Sequence, residues 1–584
     1  MNGRTPDGER INEGDNEKYL KERKKAMKKM KAFLSILLAL SMVFALTACG
    51  GSGGGASAEP AAPAGSAASA ESAAPAADSA APASDNAEAE VTGGIPDTIT
   101  IGFSGGLGRF LAGIAPSESF TGCDAVFDSI FKTDPETKEI MSDVLDSWGW
   151  KDEHTFEMKM KENIYFSNGD NATAEDLIFS YANHPERGSN YLNSFGLLLD
   201  QCVATDTYTA EFKFEKPYVA FTNTIIYLID KSWSEEVGWD SMEWYQPVGS
   251  GPYKCTEYVA DDHMILEARD DYWNKDKGEI VVKKWILKNY ADPSTMFMDL
   301  ETGKIQMCQA PTADYDRYVK DGGDGYDCVL APTGVVCYFN YGFLNNPIWQ
   351  NQKLREAIAA GVDWAALGKL GYGNMYVPAN SLVPEMSKEY VDVGQVTYDP
   401  EHAKELLAEA GYKPGDLKLH TFMMDNPFYK DLCEGFQFYM QEMGIECDLE
   451  FGDISTTIAQ WVDPASGIDF GFFYYVAGSP TGMLRLNTWN AGDPNGVKWG
   501  YFDDEEFQAL YTEHCYTTDP DLSVQRSKEC QQLVYDKTLA VPFCEDVKAL
   551  AYDNTIFTGE QMLNCYIGAD NYQITKLSFA SGWE

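Results

Sequence analysis

The sequence predicts a mixed α/β body standing behind a leader and a low-complexity linker. Short alternating runs and helical apolar stripes interleave along most of the chain without a repeat period, which excludes solenoids and propellers. Near the N-terminus a short apolar run ends at a cysteine, Cys49. Between that cysteine and the first alternating run, the composition collapses to Gly, Ala, Ser and Pro with scattered acids.

The apolar run Ala32 to Ala45 is about 14 residues long and follows the basic cluster Lys21 to Lys31. That length suits a signal-peptide core, whereas a spanning helix needs about 20 residues. The tetrapeptide Leu46-Thr47-Ala48-Cys49 resembles the bacterial lipobox, in which the cysteine thiol accepts a diacylglycerol and becomes the new N-terminus. Residues 1–48 are therefore expected to be removed, leaving a chain lipid-anchored through Cys49 on the extracytoplasmic face of a cell membrane. Residues 1–26 are hydrophilic and longer than a usual leader start, and Met27 and Met30 each open a more typical one. Translation is expected to begin there.

Residues 49–94 read as the lipidated cysteine and a disordered tether. The stretch from Gly50 to about Thr92 has no aromatic or basic residue and buries too little apolar surface to offset its ordering entropy. As a Gly-rich coil it spans roughly 35 Å. The whole chain carries a formal charge of −45, and loss of the basic leader makes the mature protein more acidic still. Nucleic acid is excluded as a partner, because its phosphates require a basic face.

In the body, Thr98 to Phe103 alternates like a strand and runs into the turn Ser104-Gly105-Gly106-Leu107-Gly108. Thr155 to Met160 alternates likewise, and Asn168-Gly169-Asp170 is a turn. Thr173 is placed to cap a helix with Leu177, Ile178 and Tyr181 on one face. Lys353 to Leu367 and Asp504 to His514 read as amphipathic helices. The clearest helix opens at Asp399-Pro400, an N-cap followed by proline, and closes at Gly411.

Six blocks in order resemble the peptide/nickel-type solute-binding proteins of ABC importers. They are Leu145 to Asn183, Val248 to Tyr253 (V-G-S-G-P-Y), Asp271-Tyr272-Trp273, Met298 to Ile305, Lys353 to Asp363 and Tyr398 to Tyr412. The resemblance implies a two-lobed clamshell with an extra domain inserted in lobe one. Lobe one would comprise residues 95–330 with the insert at about 135–225, lobe two 331–545, and residues 546–584 would return to lobe one. It further implies a monomer that closes over a small solute, most often an oligopeptide, and hands it unchanged to permease subunits. No enzyme chemistry and no cofactor are implied.

In that family the loop after the first strand and a strand late in lobe two line the cleft. Here these are Ser104, Gly105, Gly106 and Leu107, and the run containing Tyr474, Tyr475, Val476, Ala477 and Gly478, with Trp489 beyond it. Peptide-binding members pair the late strand with the ligand backbone and hold its α-amino group on a following Asp. Gly478 occupies that acidic position, so oligosaccharides and other small solutes stand as alternatives. Asp425 and Asp493 are possible substitute carboxylates.

Two rival chemistries were weighed. Gly102-Phe103-Ser104-Gly105-Gly106 matches the G-x-S-x-G elbow of hydrolases, but none of the six histidines is marked as its base. No H-E-x-x-H, clustered histidine set or C-x-x-C points to a metal. Setting Cys49 aside, the remaining cysteines are compatible with disulfides and equally with reduced, buried thiols.

Overall fold

The computed structural model describes residues 94–584 apart from 105–106, 111–116, 135–136, 183–195, 224–225, 240, 311–314, 316–324, 475–485, 490–501, 569–570 and 584. The leader, Cys49 and the tether lie outside the described residues.

β1 (Thr98–Phe103) buries Ile99, Ile101 and Phe103 and becomes an interior strand. β2 (Lys132–Thr133) and β3 (Ile140–Met141) form a small hairpin. β4 (Leu145–Asp152), β5 (Thr155–Met160), β6 (Val203–Ala204) and β7 (Thr209–Lys213) make a separate antiparallel sheet in the order β4-β5-β7-β6. The helix Ala174–Ala182 packs its Leu177 and Tyr181 on that sheet, with Tyr181 edge-on to Phe212.

β8 (Tyr253–Val259), β9 (His263–Ala268) and β10 (Lys284–Asn289) form an antiparallel meander whose last strand pairs in parallel with β1. β11 (Met307–Gln309) takes β1's other side. The remaining strands are β12 (Tyr326–Tyr341), the parallel pair β13 (Lys418–Met424) and β14 (Glu446–Gly452), β15 (Phe470–Tyr474), β16 (Ala540–Asp553), and the short antiparallel pair β17 (Tyr566–Gly568) and β18 (Asn571–Tyr572). The large sheet runs β15-β12-β16-β11-β1-β10-β9-β8.

Two strands of this sheet are unusually long, β12 with 16 residues and β16 with 14. Their ladder runs from Tyr326↔Asp553 to Pro332↔Val547, breaks, and resumes at Val336↔Glu545. On one side of the break β16 also pairs with β11; on the other β12 pairs with β15. The break is built locally. Gly334 sits at φ 73°, a conformation that costs glycine little. Thr333 Oγ1 donates to both the carbonyl and the carboxylate of Asp546.

Among the described residues the buried core falls into three clusters, two of them large. One cluster gathers around β1 and β8–β10, with Ile101, Trp285 and Leu266. A second surrounds the β12–β15 end, where Phe339 stacks on Phe436 and meets Phe470 and Phe472. The V-G-S-G-P-Y block passes over the end of the helix Ser117–Val126 so closely that only glycine fits. A Cβ on Gly249 would lie 2.1 Å from Val126 O, and one on Gly251 2.4 Å from Ala125 O. The buried Arg269 guanidinium fixes this turn by donating to Gly249 O, Gly251 O and Tyr165 O.

Most local readings hold. Asp399 caps the helix Pro400–Glu409, Gly411 has φ 98°, and Asp504 caps Glu505–Cys515. One reading is corrected: the helix expected from Lys353 to Leu367 is two, Gln352–Ala360 and Trp364–Tyr372. Asp363 accepts from Ala366 N and starts a new helix, and Gly361 leaves no room for a side chain beside Met443 Sδ. The cysteines past Cys49 are all unbridged, and all but Cys202 and Cys328 are buried.

Candidate functional site

Alternation along β15 gives it two faces. Phe470 and Phe472 point into the core, while Gly471 and Phe473 point the other way. On that second face Trp461 stands edge-on to Phe473 at 4.6 Å, and its ring lies where a Gly471 Cβ would be. Tyr338, from the neighbouring β12, meets both Phe473 at 6.0 Å and Trp489 at 5.6 Å. A wall of buried aromatic rings thus packs on the second face where β15 ends.

β15 is also the edge of the large sheet, pairing among the described strands only with β12. Its first residues are covered, since Phe470 O accepts from Thr421 Oγ1 and Asp469 N donates to His420 O. Asp469 itself is buried and raised above the usual carboxylate range by desolvation, which bonds from His420 N and Asn346 oppose. Strand addition by an extended ligand uses an edge strand of this kind.

Beside this wall are two buried donors without acceptors among the described residues. Trp489 is fully buried, and its Nε1–H has no partner among them, nor does the hydroxyl of the adjacent Thr488. Leaving a buried polar group unpaired costs about 1 to 3 kcal/mol. Trp489 is held by its backbone, whose carbonyl accepts from Gln508 Nε2. The indole N–H is thus buried against this wall.

Of the residues expected to line the cleft, Trp489 joins the β15 wall through Tyr338. Ser104 is exposed at the end of β1, with three strands between it and β15 in the sheet. Leu107 is turned inward, 7% exposed within the core around β1, and offers its carbonyl to Tyr258 Oη. Gly105, Gly106, Tyr475, Val476, Ala477, Gly478 and the side chain of Tyr474 lie outside the described residues, as does Asp493. Asp425 is exposed and paired with Lys430. Sequence reasoning missed Tyr338 and Thr488. The alternation Val336 to Tyr341 held the signal for Tyr338, but only pairing with β15 identifies its face.

The helix Ser117–Val126, which follows the Ser104 loop, ends in a buried charge cluster. Asp124 is raised to about 6 by desolvation, against the opposing pull of Lys277 and Lys132. Asp128 is raised as well and accepts from Tyr272 Oη and Trp273 Nε1, while Asp143, bonded to Lys277 and Lys132, is lowered. The described histidines are engaged elsewhere: His154 with Phe214 O, His263 with Asp262, His402 with Glu405, His420 with Glu450 and His514 with Ser523. Among the described residues no group of three or more His, Cys, Asp or Glu is placed to hold a metal.

Residues 139–496 match the profile described as "Bacterial extracellular solute-binding proteins, family 5 Middle". The glutathione-binding protein GsiB of Shigella boydii is 21% identical over 450 residues, covering 74% of this chain and 85% of that protein. The substrate-binding protein CtaP of Listeria monocytogenes superposes with a TM-score of 0.65 at 21% identity, over 78% of this chain and 94% of its own. The oligopeptide-binding protein AppA of Bacillus subtilis, in complex with a nonapeptide, superposes at 0.58 and 18% identity, over 78% and 94%.

Proposed function

Because the chain belongs to the bacterial extracellular solute-binding proteins of family 5, we propose that it is a receptor that captures an oligopeptide-like solute and delivers it to an ABC-transporter permease. The mixed α/β fold is that of the two-lobed binding proteins. In this reading lobe one comprises residues 95–330 with an insert at about 135–225, lobe two residues 331–545, and residues 546–584 return to lobe one. The break at Thr333–Val335 and its partner segment Glu545–Val547 are then the crossover at which the lobes hinge. Ligand that touches both lobes favours the closed state by its differential affinity.

The observation that carries the peptide reading is the edge strand β15 beside a wall of rings and two donors that have no partner among the described residues. An extended backbone supplies both the ladder partner and the carbonyl acceptors. In this reading the wall binds and orients the ligand. Cys49, lipidated, and the tether would keep the receptor at the outer face of the membrane.

Gly478, at the position where peptide-binding relatives hold an amino terminus with an acid, supports a second reading in which the solute lacks a free amino group. Mass spectrometry of material co-purified with the mature chain tests both. Peptides are expected; recovered sugars would replace the first reading with the second. Tryptophan fluorescence should respond saturably to the recovered ligand without turnover, and Trp489→Phe should remove much of that response and weaken binding about tenfold, the loss of one buried hydrogen bond.

A further inference from the structure

The turn Pro384 to Glu389 connects three parts of the molecule that the proposed receptor would move relative to one another. Its inner side is pinned to the helices of the 331–545 segment. Glu389 is buried, its carboxylate accepts from Ser527 Oγ at 2.7 Å, and its carbonyl accepts from Gln531 Nε2 at 2.8 Å. His514 Nε2 lies 3.7 Å from the same carboxylate. The turn is closed by Ser387, whose N–H donates to Pro384 O and whose hydroxyl accepts from Glu389 N.

The middle of the turn rests on the strand crossover. Met386 Sδ packs over Gly334, so that a Cβ there would lie 2.9 Å from it. Glu385 N approaches Glu545 Oε1 at 3.4 Å. The outer side reaches the β2–β3 hairpin, which lies in the 95–330 segment read as lobe one. Lys388 Nζ binds both carboxylate oxygens of Glu139, at 2.8 and 2.9 Å. Lys138 Nζ donates to Glu385 O at 2.6 Å. Lys138 does this from φ 60°, a left-handed conformation unfavourable to a side-chain-bearing residue. The bend aims two consecutive side chains, Lys138 and Glu139, at one turn.

We propose that residues 384–389 are an interlobe latch: Lys388 and the Glu385 carbonyl grip the Lys138–Glu139 hairpin and hold the halves together, while Met386 couples that grip to the crossover at Gly334. This rests on the reading of residues 331–545 as a second lobe. The grip is made of exposed ion pairs, Lys388 being 39% and Glu139 61% exposed, so it is weak and sensitive to salt. Such strength suits a contact that must release at each cycle of capture and delivery.

The test measures the distance between spin labels on keto side chains placed at the exposed Lys159 and Glu434, in the full chain without added ligand. Lys388→Ala and Glu139→Ala are each expected to raise the long-distance population two- to fivefold at low salt, with the difference vanishing near 1 M NaCl. The exchange Lys388→Glu with Glu139→Lys is expected to restore the parent distribution. Single variants that match the parent at low salt, or an exchange as wide as the singles, would overturn the latch. Ligand recovery is scored separately. A chain that yields no bound solute but keeps latch-dependent distances removes the receptor reading and leaves the latch.

Discussion

Asp124 shows how one buried carboxyl sets a pH dependence. Burial raises it to about 6 in the folded chain, and an unfolded aspartate titrates near 4. The folded state therefore holds a proton that the unfolded state has already released between these values. This stabilisation is complete below about pH 4 and is lost as pH rises through about 6, by up to roughly 3 kcal/mol. Urea unfolding across that window should show the decline, and Asp124→Asn should flatten it. Arg355 is a second decisive residue. Its guanidinium is 2% exposed and donates to the carbonyls of Trp349, Lys537 and Thr538, joining the helix Gln352–Ala360 to the segment that enters β16. Arg355→Met strands those carbonyls, and a loss of about 3 kcal/mol or more is expected in the urea midpoint. The arginine was visible in its motif; that it is a bolt between segments far apart in sequence was not.

At the scale of elements, the turn through Gly249 and Gly251 joins the helix Ser117–Val126 to the β8–β10 meander. Gly249→Ala pushes a methyl into Val126 O and should destabilise by about 2 to 3 kcal/mol, read in the thermal midpoint, while leaving far-ultraviolet helix content intact. The motif reading singled out these glycines without their reason, because the carbonyls they approach belong to residues more than a hundred positions earlier. The division of the Lys353–Leu367 segment has a related cause. Its apolar period continues through both helices, but Asp363 offers a cap to Ala366 N, and that local bond takes precedence over a continuous helix.

At the scale of the molecule, β12 and β16 are the only described strands that contribute to both ends of the large sheet, and the proposed hinge lies at the break in their ladder, Thr333–Val335. Gly334→Ala should disfavour the left-handed turn and crowd Met386 Sδ. Its expected signature is a loss of about 1 to 2 kcal/mol in the thermal midpoint, with a shift in the spin-label distances described above. A variant with the parent's distances would mean that the crossover does not govern the lobes.

By itself the sequence determined the class of the fold and most of its helix ends, because alternation, N-caps and proline at a first turn act over a few residues. The ordered motifs likewise identified the family, since each block records a local backbone need. Only the tertiary structure decided that Leu107 turns inward, that Tyr338, Phe473 and Trp489 form one wall, and that Lys388 meets Glu139. Those facts depend on strand register and on contacts between distant segments, and a one-residue change of register would present the opposite face of β12 and β15.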